Sequence, residues 1–360
     1  MSIIHVVSVS GGKDSAATLI SALLRFGRHR VRAIFCDTGN EHQAVYDYLD
    51  YLEQALDIKI DRLRANFDQE IANKRMFIAR DRRTRRVYHT RPVYDDAGKP
   101  VWARDGRGNI KWKRATEDGA SYCAFVQKER KVGGGHKVRW TNRGKRRALE
   151  ILHPTGNPFL DLCLWRGRFP SRKAQFCTEQ LKVATAVDYQ LTLVDAGHTV
   201  VSWQGVRRDE SENRKHALKF ERQAPGLYIF RPLVDWSAAD VFGYCAEQGI
   251  QPNPLYRQGM SRVGCMPCIN VNKDEMREIA ARFPEEIARI AAWEALVSQA
   301  SKRQAATFIP APGITPDQAP EHGIYAMVDW SRTSRGGRQY DLLASLIEPT
   351  ACASVYGLCE

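Results

Sequence analysis

The chain carries a short glycine-containing loop, SGGKDS at residues 10–15, between an apolar run and a helix-like segment. Residues 3–9 are predicted to form a strand, and residues 15–26 place apolar side chains at helical spacing before Gly27. Adjacent glycines allow a tight turn, and the N–H groups at a helix start favour an anion. The loop is therefore predicted to hold phosphate, with Lys13 adding positive charge. The predicted binding residues are Ser10, Gly11, Gly12, Lys13, Asp14 and Ser15.

This loop differs from the common mononucleotide-binding loop. That loop needs a second glycine four residues before a Gly-Lys-Ser or Gly-Lys-Thr triplet. Here Lys13 is followed by Asp14, and Ser15 comes only after it. The sequence therefore indicates a phosphate site of another class.

The segments after the loop predict an α/β sheet. Residues 31–36 and 58–63 read as strands, and residues 42–56 between them read as a helix. Short connections between alternating strands and helices imply parallel pairing. The same alternation returns after residue 158, with a helix over 177–196 and a strand over 199–203.

The α/β pattern is interrupted by an insertion at residues 70–155. This segment contains turn-like clusters at 95–99 and 105–109, which predict β-hairpins. We therefore divide the chain into a nucleotide-binding domain over 1–270, interrupted by that insertion, and a C-terminal helical and loop extension over 271–360.

The positive charge of the chain is concentrated in the insertion. Residues 71–150 contain 23 Lys or Arg and 8 Asp or Glu, a net charge of +15, while the whole chain has +13. A localised positive field suits a polyanion, most often nucleic acid. Trp102, Trp112 and Trp140 lie in the same segment and are expected to stack on bases. DNA or tRNA is the expected partner, and a solvated surface loop is the simpler alternative.

Composition favours a cytoplasmic protein. No window of about 18 apolar residues is present, and the first residues do not resemble a secretory signal. The nine cysteines are therefore expected to be thiols, metal ligands or catalytic groups rather than a disulfide framework. No membrane partner is expected, and the oligomeric state is left open.

Later motifs, taken in order, carry a family resemblance. They are DTGNE at 37–41, GVRRDES at 205–211 with Arg214 beyond it, WSAADV at 236–241, NPLY at 253–256 and RVGCMPC at 262–268. With SGGKDS, the chain resembles the PP-loop ATP pyrophosphatase superfamily and, within it, the phosphoadenosine phosphosulfate (PAPS) reductase family. That family includes the DNA phosphorothioation protein DndC. The resemblance covers residues 1–65 and 158–270.

The resemblance implies a fold and a set of nucleotide contacts. The implied fold is an adenine nucleotide alpha hydrolase-like, Rossmann-like three-layer sandwich with a mostly parallel sheet. It implies ATP and Mg²⁺ as ligands, with Asp14 or Asp37 holding the metal. The further nucleotide-binding residues that it implies are Asp37, Thr38, Gly39, Arg207 and Arg214.

The intact Gly-Lys-Asp-Ser core of the loop favours one reaction within the family. Sulfonucleotide reductases usually have an altered loop, whereas an intact loop suits the β- and γ-phosphates of ATP. The resemblance therefore implies cleavage between the α- and β-phosphates, with Lys13 and Asp14 as catalytic residues. The AMP would activate an acceptor for sulfur transfer, expected to be nucleic acid, with sulfur from a donor such as a cysteine desulfurase.

Several cysteines are candidate metal ligands. Cys265 and Cys268 form a C-x-x-C pair, a spacing that fits zinc, an iron–sulfur cluster or a redox pair. The resemblance adds Cys177 and favours a [4Fe–4S] cluster, with zinc as the alternative. The fourth ligand is left open between Cys163, Cys359 and none.

Two other functions remain open from the sequence. One is a sulfonucleotide reductase that makes sulfite from PAPS or adenylyl sulfate, with Cys359 near the end of the chain as its nucleophile. The other is a nucleic-acid-binding partner subunit whose nucleotide site is regulatory.

Overall fold

The structure is a computed structural model of the 360-residue chain. It describes residues 2–81, 86–87, 89–117, 120–133, 136–137, 140–314, 318–334, 339–340 and 352–358. The chain divides into two compact units, the first formed by residues 1–76 and 147–360 and the second by residues 77–146.

The first half of the chain alternates strands and helices around the phosphate loop, and hairpins follow. The described helices are α1 (Lys13–Phe26), α2 (Gln43–Leu56), α3 (Asp68–Arg80), α4 (Asn142–Ile151), α5 (Pro158–Arg166), α6 (Ala184–Asp195), α7 (Ala238–Glu247), α8 (Lys273–Arg282), α9 (Pro284–Ala300) and α10 (Ala319–Ser331). The described strands are β1 (Ile3–Ser8), β2 (Val31–Asp37), β3 (Ile60–Arg64), β4 (Arg86–Val87), β5 (Thr90–Pro92), β6 (Trp112–Glu117), β7 (Ala120–Phe125), β8 (Glu129–Lys131), β9 (His136–Lys137), β10 (Thr199–Trp203), β11 (Phe220–Ala224), β12 (Leu227–Phe230), β13 (Thr333–Ser334) and β14 (Gln339–Tyr340).

The first unit is built on a mostly parallel sheet. Among the described residues, this sheet has six strands in the order β11-β12-β10-β1-β2-β3. Strand β1 pairs in parallel with both β2 and β10, and the parallel pairing continues to β3 on one side and β12 on the other. The edge strand β11 runs antiparallel to β12. The mostly parallel sheet expected from the sequence is confirmed.

Helices cover both faces of this sheet. Successive side chains of a strand point to opposite faces, and β1 follows this rule. Val6 packs in a buried cluster against Leu193 of α6. On the other face, His5 stacks on Phe26 of α1 at 3.7 Å between ring centroids and accepts a hydrogen bond of 3.0 Å from Trp203 Nε1. The sheet therefore lies between two helical layers, which confirms the three-layer sandwich.

The order of the strands fixes where a ligand can bind. The chain leaves β1 on one side toward β2 and β3, and later returns on the other side through β10 and β12. In open α/β sheets, the loops on either side of such a reversal separate and leave a crevice at the carboxyl ends of the strands. The phosphate loop follows β1, so it lies at this crevice.

The second unit contains short antiparallel strand pairs. Strand β4 pairs with β9, β5 with β8, and β6 with β7. Both predicted turns are present, since the Asp95 N–H donates to the Lys99 carbonyl at 2.9 Å and the Asp105 N–H to the Asn109 carbonyl at 2.8 Å. Trp140 is only 8% exposed, so the expectation that it stacks on bases was wrong for this tryptophan.

The residues after 270, which belong to the first unit, form α8, α9 and α10, and these helices pack on one another. Glu294 of α9 joins them to the following segment, because its carboxylate accepts hydrogen bonds from the backbone N–H groups of Phe308 at 2.6 Å and Ile324 at 2.8 Å. Among the described residues, no helix is both long enough and apolar enough to cross a membrane.

The buried cluster on the α6 side gives a test of the fold. Ile34 of β2 is fully buried in this cluster, whereas Ile3 of β1 is 50% exposed. We expect Ile34→Ala to lower the free energy of unfolding by about 2–5 kcal/mol, because it leaves a cavity in a packed core. The matched variant Ile3→Ala should change it by less than about 0.5 kcal/mol. Urea unfolding followed by circular dichroism measures both, and equal losses would contradict the burial of Ile34 in the core.

Candidate active site

A cavity of about 540 Å³ lies at the crevice beside the phosphate loop. It is lined by residues from the loops after β1 and β10, by α6, and by segments near residues 256–264 and 356. Of the residues expected to bind phosphate, those that line the cavity are Ser10, Gly12, Lys13, Asp14, Ser15, Arg207 and Arg214.

Two glycines allow the loop to pass close to its neighbours. Gly11 has a φ of +73°, and a Cβ there would lie 2.9 Å from Val45 Cγ1. Gly205, in the loop after β10, lies so close to the start of α1 that a Cβ would be 2.8 Å from the backbone carbon and oxygen of Asp14. These approaches fix the loop after β1 against the loop after β10.

The loop is also stabilised by hydrogen bonds. Ser15 Oγ donates to the Gly12 carbonyl at 2.8 Å and accepts from the Ser10 N–H at 3.0 Å. Asn253 Nδ2 donates to the Gly11 carbonyl at 3.2 Å. The loop therefore keeps its shape through its own serines and one distant asparagine.

Lys13 lies in a mostly enclosed position at the cavity wall. Its side chain is 6% exposed, and its ammonium group lies 2.8 Å from Asp14 Oδ2. The ammonium also lies 5.2 Å from the ring centroid of Tyr356 and 5.8 Å from that of Tyr256, within the range of cation–π attraction. The Lys13 N–H donates to the Tyr256 hydroxyl at 3.0 Å. The charge is therefore held at a fixed place.

Asp14 pairs with a second cation. Arg207 Nε lies 2.6 Å from Asp14 Oδ1, and Arg207 Nη1 lies 2.6 Å from the carboxylate of Asp209. Arg207 is 4% exposed. Burial lowers the pKa of Arg207, but Asp14 and Asp209 outweigh this effect and raise the pKa above its ordinary value. Arg214, also on the cavity wall, pairs with Glu210.

The predicted residues at the end of β2 and directly after it occupy a different position. Asp37 accepts hydrogen bonds from Tyr46 Oη at 2.8 Å, Arg64 Nε at 2.8 Å and the Gly39 N–H at 2.9 Å. Within the described chain, Asp37, Thr38 and Gly39 are not among the residues that line the cavity. Their place is in the loop that supports the cavity wall.

Apolar side chains also line the cavity. Ile34 of β2, Val187 of α6, and Leu227 and Ile229 of β12 line it. Gln190 contributes a buried amide there, which donates to Ser202 Oγ at 3.0 Å. A cavity lined by both cations and apolar side chains suits a nucleotide, with its phosphates near Lys13.

A group of thiols lies beside the cavity. Cys265 Sγ lies 3.5 Å from Glu41 Oε1 and 3.5 Å from Thr38 Oγ1. Glu41 and Lys182 also line the cavity. Cys265 raises the pKa of Lys182 above its ordinary value, against the opposing effect of burial, and Glu41 acts in the same direction. The thiol group and the nucleotide cavity therefore share these two side chains.

The predicted cysteine ligands are neighbours. Burial raises the pKa of the Cys265 thiol to about 12, and Lys182 opposes this shift. Burial also raises the pKa of Cys177, to which Cys268 adds. It likewise raises the pKa of Cys163, to which Cys177 adds. A π-helical turn at Thr178–Val183 follows Cys177 and carries Lys182.

Cysteine thiolates are donors that zinc and iron–sulfur clusters take. In the part of the chain that the structure describes, no three His, Cys, Asp or Glu side chains are arranged as ligands around a metal ion. Thiols must lose their protons before they bind a metal, so loading would also change the charge around Lys182. Cys359 lies outside the described residues.

Sequence reasoning missed Tyr356, Tyr256, Glu41 and Lys182 as site residues. Glu41 and Tyr256 lie within motifs that carried the resemblance, so their positions gave a signal. Tyr356 lies outside the residues that carry the resemblance, and only the fold brings it close to the phosphate loop. Its hydroxyl donates to the Ser261 carbonyl at 2.8 Å. No local pattern around Tyr356 predicted that contact.

The fold and the cavity define a nucleotide-binding α/β protein with its phosphate loop after the first strand. Comparison with known protein families identifies the family to which the chain belongs. Residues 4–271 match the phosphoadenosine phosphosulfate reductase domain. The chain belongs to this family, and membership supports a nucleotide-binding enzyme related to sulfonucleotide reductases.

Individual relatives include an uncharacterized protein and a sulfonucleotide reductase. The chain is 42% identical, over 100% of its own length and 97% of the other, to an uncharacterized 37.8 kDa protein in the gpa 5′ region of Escherichia phage 186. It is 36% identical over 77 residues to an adenosine 5′-phosphosulfate reductase of Burkholderia cepacia, a match that covers 21% of this chain and 30% of that enzyme.

Among solved structures, one similar chain is the PAPS reductase of Candida auris in its phosphate complex. It has 14% sequence identity and a TM-score of 0.35, with 74% of this chain and 81% of that chain covered. A score this low adds nothing to the family assignment.

The contact between Gly205 and Asp14 gives a test of the site. We expect Gly205→Ala to weaken nucleotide binding at least about tenfold, because the new Cβ must displace the backbone that shapes the phosphate loop. Gly243→Ala is the matched control, since a Cβ at this α7 position meets nothing within 4 Å. Isothermal titration with ATP measures both variants. Equal affinity in Gly205→Ala and the original protein would show that the contact does not shape the site.

Proposed function

We propose that this protein cleaves ATP to AMP and pyrophosphate and uses the AMP to activate an acceptor for sulfur transfer. The single observation that carries the proposal is the arrangement around Asp14. Its carboxylate holds both Lys13 and Arg207 at the wall of one cavity, beside a loop with an intact Gly-Lys-Asp-Ser core. Two cations at a phosphate loop suit the leaving group of ATP.

The proposed reaction has two steps. An acceptor oxygen attacks the α-phosphorus of ATP, and the bond from that phosphorus to the bridging oxygen breaks, so that pyrophosphate leaves. Hydrosulfide then attacks the activated acceptor atom, and AMP leaves with the acceptor's original oxygen. A donor such as a cysteine desulfurase supplies the sulfur as a persulfide, and a thiol reductant releases it as hydrosulfide.

The side chains of the cavity have distinct parts in this reaction. Lys13 and Arg207 would exchange their contacts with Asp14 for phosphate oxygens as charge develops on pyrophosphate. Bound Mg²⁺ would supply further positive charge beside the phosphates. Asp14 is the better candidate to hold it, because Asp14 lines the cavity and Asp37 is not among its described lining residues.

We propose that the thiol group holds a [4Fe–4S] cluster. Its candidate ligands are Cys177, Cys265 and Cys268, with Cys163 as the candidate fourth ligand and zinc as the alternative metal. When bound, such a cluster would supply a place for sulfur delivery. The thiols lie next to Glu41 and Lys182, which also line the cavity, and this placement supports the proposal.

A second function is favoured by one specific observation. Short matches link the chain to adenosine 5′-phosphosulfate reductases, among them that of Burkholderia cepacia. A sulfonucleotide reductase would use a thiol nucleophile to release sulfite, and Cys359 is the sequence candidate. Sulfite from PAPS or adenylyl sulfate with a thiol donor, and no pyrophosphate from ATP, would favour this function.

The activity test uses ATP labelled at the α-phosphate, together with single-stranded DNA or tRNA and sulfide. We expect labelled AMP and unlabelled pyrophosphate to form, and Lys13→Met to lower the rate at least about 100-fold, because a positive charge is lost where negative charge develops. Chromatography of the labelled products measures the rate.

Lys59→Met is the control, because Lys59 is exposed and lies outside the cavity; its rate should equal that of the original protein. ATP binding with no turnover would support the partner-subunit function instead. Release of orthophosphate without AMP would exclude cleavage at the α-phosphate.

The metal content is tested by anaerobic purification, an absorption spectrum and an iron, sulfide and zinc count. We expect a brown protein with four iron atoms per chain, in keeping with a [4Fe–4S] cluster. Cys265→Ser and Cys268→Ser should lose most of the iron, because each removes a thiolate ligand.

Cys123→Ser is the control, since this exposed cysteine lies in the insertion; its iron content should be unchanged. Loss of iron in Cys163→Ser would support Cys163 as the fourth ligand, and unchanged iron would exclude it. A colourless protein with one zinc per chain would contradict the cluster and indicate a structural zinc site.

A further inference from the structure

The second unit presents an exposed face with alternating aromatic and basic residues. Trp112 pairs with Phe125 across the β6–β7 hairpin, and Arg114 pairs with Cys123. Paired residues of an antiparallel hairpin point to the same face, as do residues two apart along a strand. Trp112, Arg114 and Phe125 therefore share one face.

The preceding hairpin extends this face. Trp102 pairs with Gln127, and Arg104 pairs with Ile110. Because Gln127 is two residues from Phe125, Trp102 lies on the same face as Phe125. The ring centroids of these two residues are 5.6 Å apart. We call this surface the aromatic face, and its members are Trp102, Arg104, Trp112, Arg114 and Phe125.

The aromatic rings on this face are exposed. Trp112 is 64% exposed, Phe125 59% and Trp102 36%. Exposure of three large rings on one small hairpin face is unfavourable in water unless a partner covers them. The two tryptophans occur in repeats of the form Trp-x-Arg, so each exposed ring is followed by a guanidinium group on the same face.

The charge of the unit defines the chemistry of the partner. Residues 77–146 contain 20 Lys or Arg and 7 Asp or Glu, a net charge of +13 that equals the net charge of the whole chain. Such a field attracts a polyanion. Exposed rings beside these cations add a surface on which flat, unpaired bases can stack.

We propose that the aromatic face binds single-stranded nucleic acid, with bases stacked on Trp102, Trp112 and Phe125 and phosphates near Arg104 and Arg114. This inference rests on the proposed function, because the bound strand would be the acceptor. A duplex fits the observations less well, since its bases are already stacked on one another. A protein partner would need an unusually acidic surface to match this charge.

The experiment measures binding of the full-length protein to a fluorescently labelled 20-nucleotide single strand by anisotropy, with DNA and RNA of the same sequence. We expect Trp112→Ala and Phe125→Ala each to weaken binding roughly tenfold, as expected when one stacked base is lost. Binding to at least one of the two strands should also exceed binding to the matching duplex and to heparin.

The matched control is Tyr122→Ala. Tyr122 pairs with Ala115 and so lies on the opposite face of the same hairpin, where it is 47% exposed. Its affinity should equal that of the original protein. Arg114→Gln should reduce the slope of log affinity against log salt by about one, whereas Trp112→Ala should leave that slope unchanged.

Two results would overturn the proposal. One is an equal loss of affinity in Trp112→Ala and Tyr122→Ala, and the other is binding of the duplex or heparin at least as tight as that of the tighter-binding single strand. Pyrophosphate release from ATP is measured on the same samples. If Trp112→Ala loses affinity and Tyr122→Ala does not, but no pyrophosphate is released, the proposed function alone is rejected. If pyrophosphate is released but the two variants lose affinity equally, this inference alone is rejected.

Discussion

Asp14 lies between two cations, Lys13 beside it in α1 and Arg207 in the loop after β10. The two loops leave neighbouring parallel strands at the place where the order of the sheet reverses. Without this carboxylate, two mostly buried cations would face each other across the crevice. Its negative charge keeps the ligand-free loops together, and the close approach of Gly205 keeps their backbones in contact.

Much of the fold could be predicted because its signals are local. Apolar periodicity and the glycine that follows α1 predicted the bounds of β1, α1, β2 and α2 to within one or two residues. Ser237 and Asp240 form the capping box at the start of α7, and both residues belong to the WSAADV motif. The phosphate loop was predictable for the same reason, since six consecutive residues carry its chemistry.

The rest of the site depends on contacts between distant segments. Tyr356 reaches Lys13, and Cys265 reaches Glu41, across more than 200 residues. Hydrophobic periodicity and secondary-structure propensity carry no information about such pairs of distant residues. Likewise, the composition of the insertion indicated aromatic residues, but only the folded structure separates exposed Trp112 from buried Trp140.

Glu41 and Lys182 belong both to the cavity wall and to the surroundings of Cys265. One consequence concerns the lifetime of a reactive intermediate. An acceptor carrying AMP hydrolyses readily in water, so an enzyme gains if the next reactant meets it before it escapes. A common wall between the phosphate loop and the thiols would let both half-reactions occur in one chamber, and the protein would need neither a tunnel nor release of the activated acceptor.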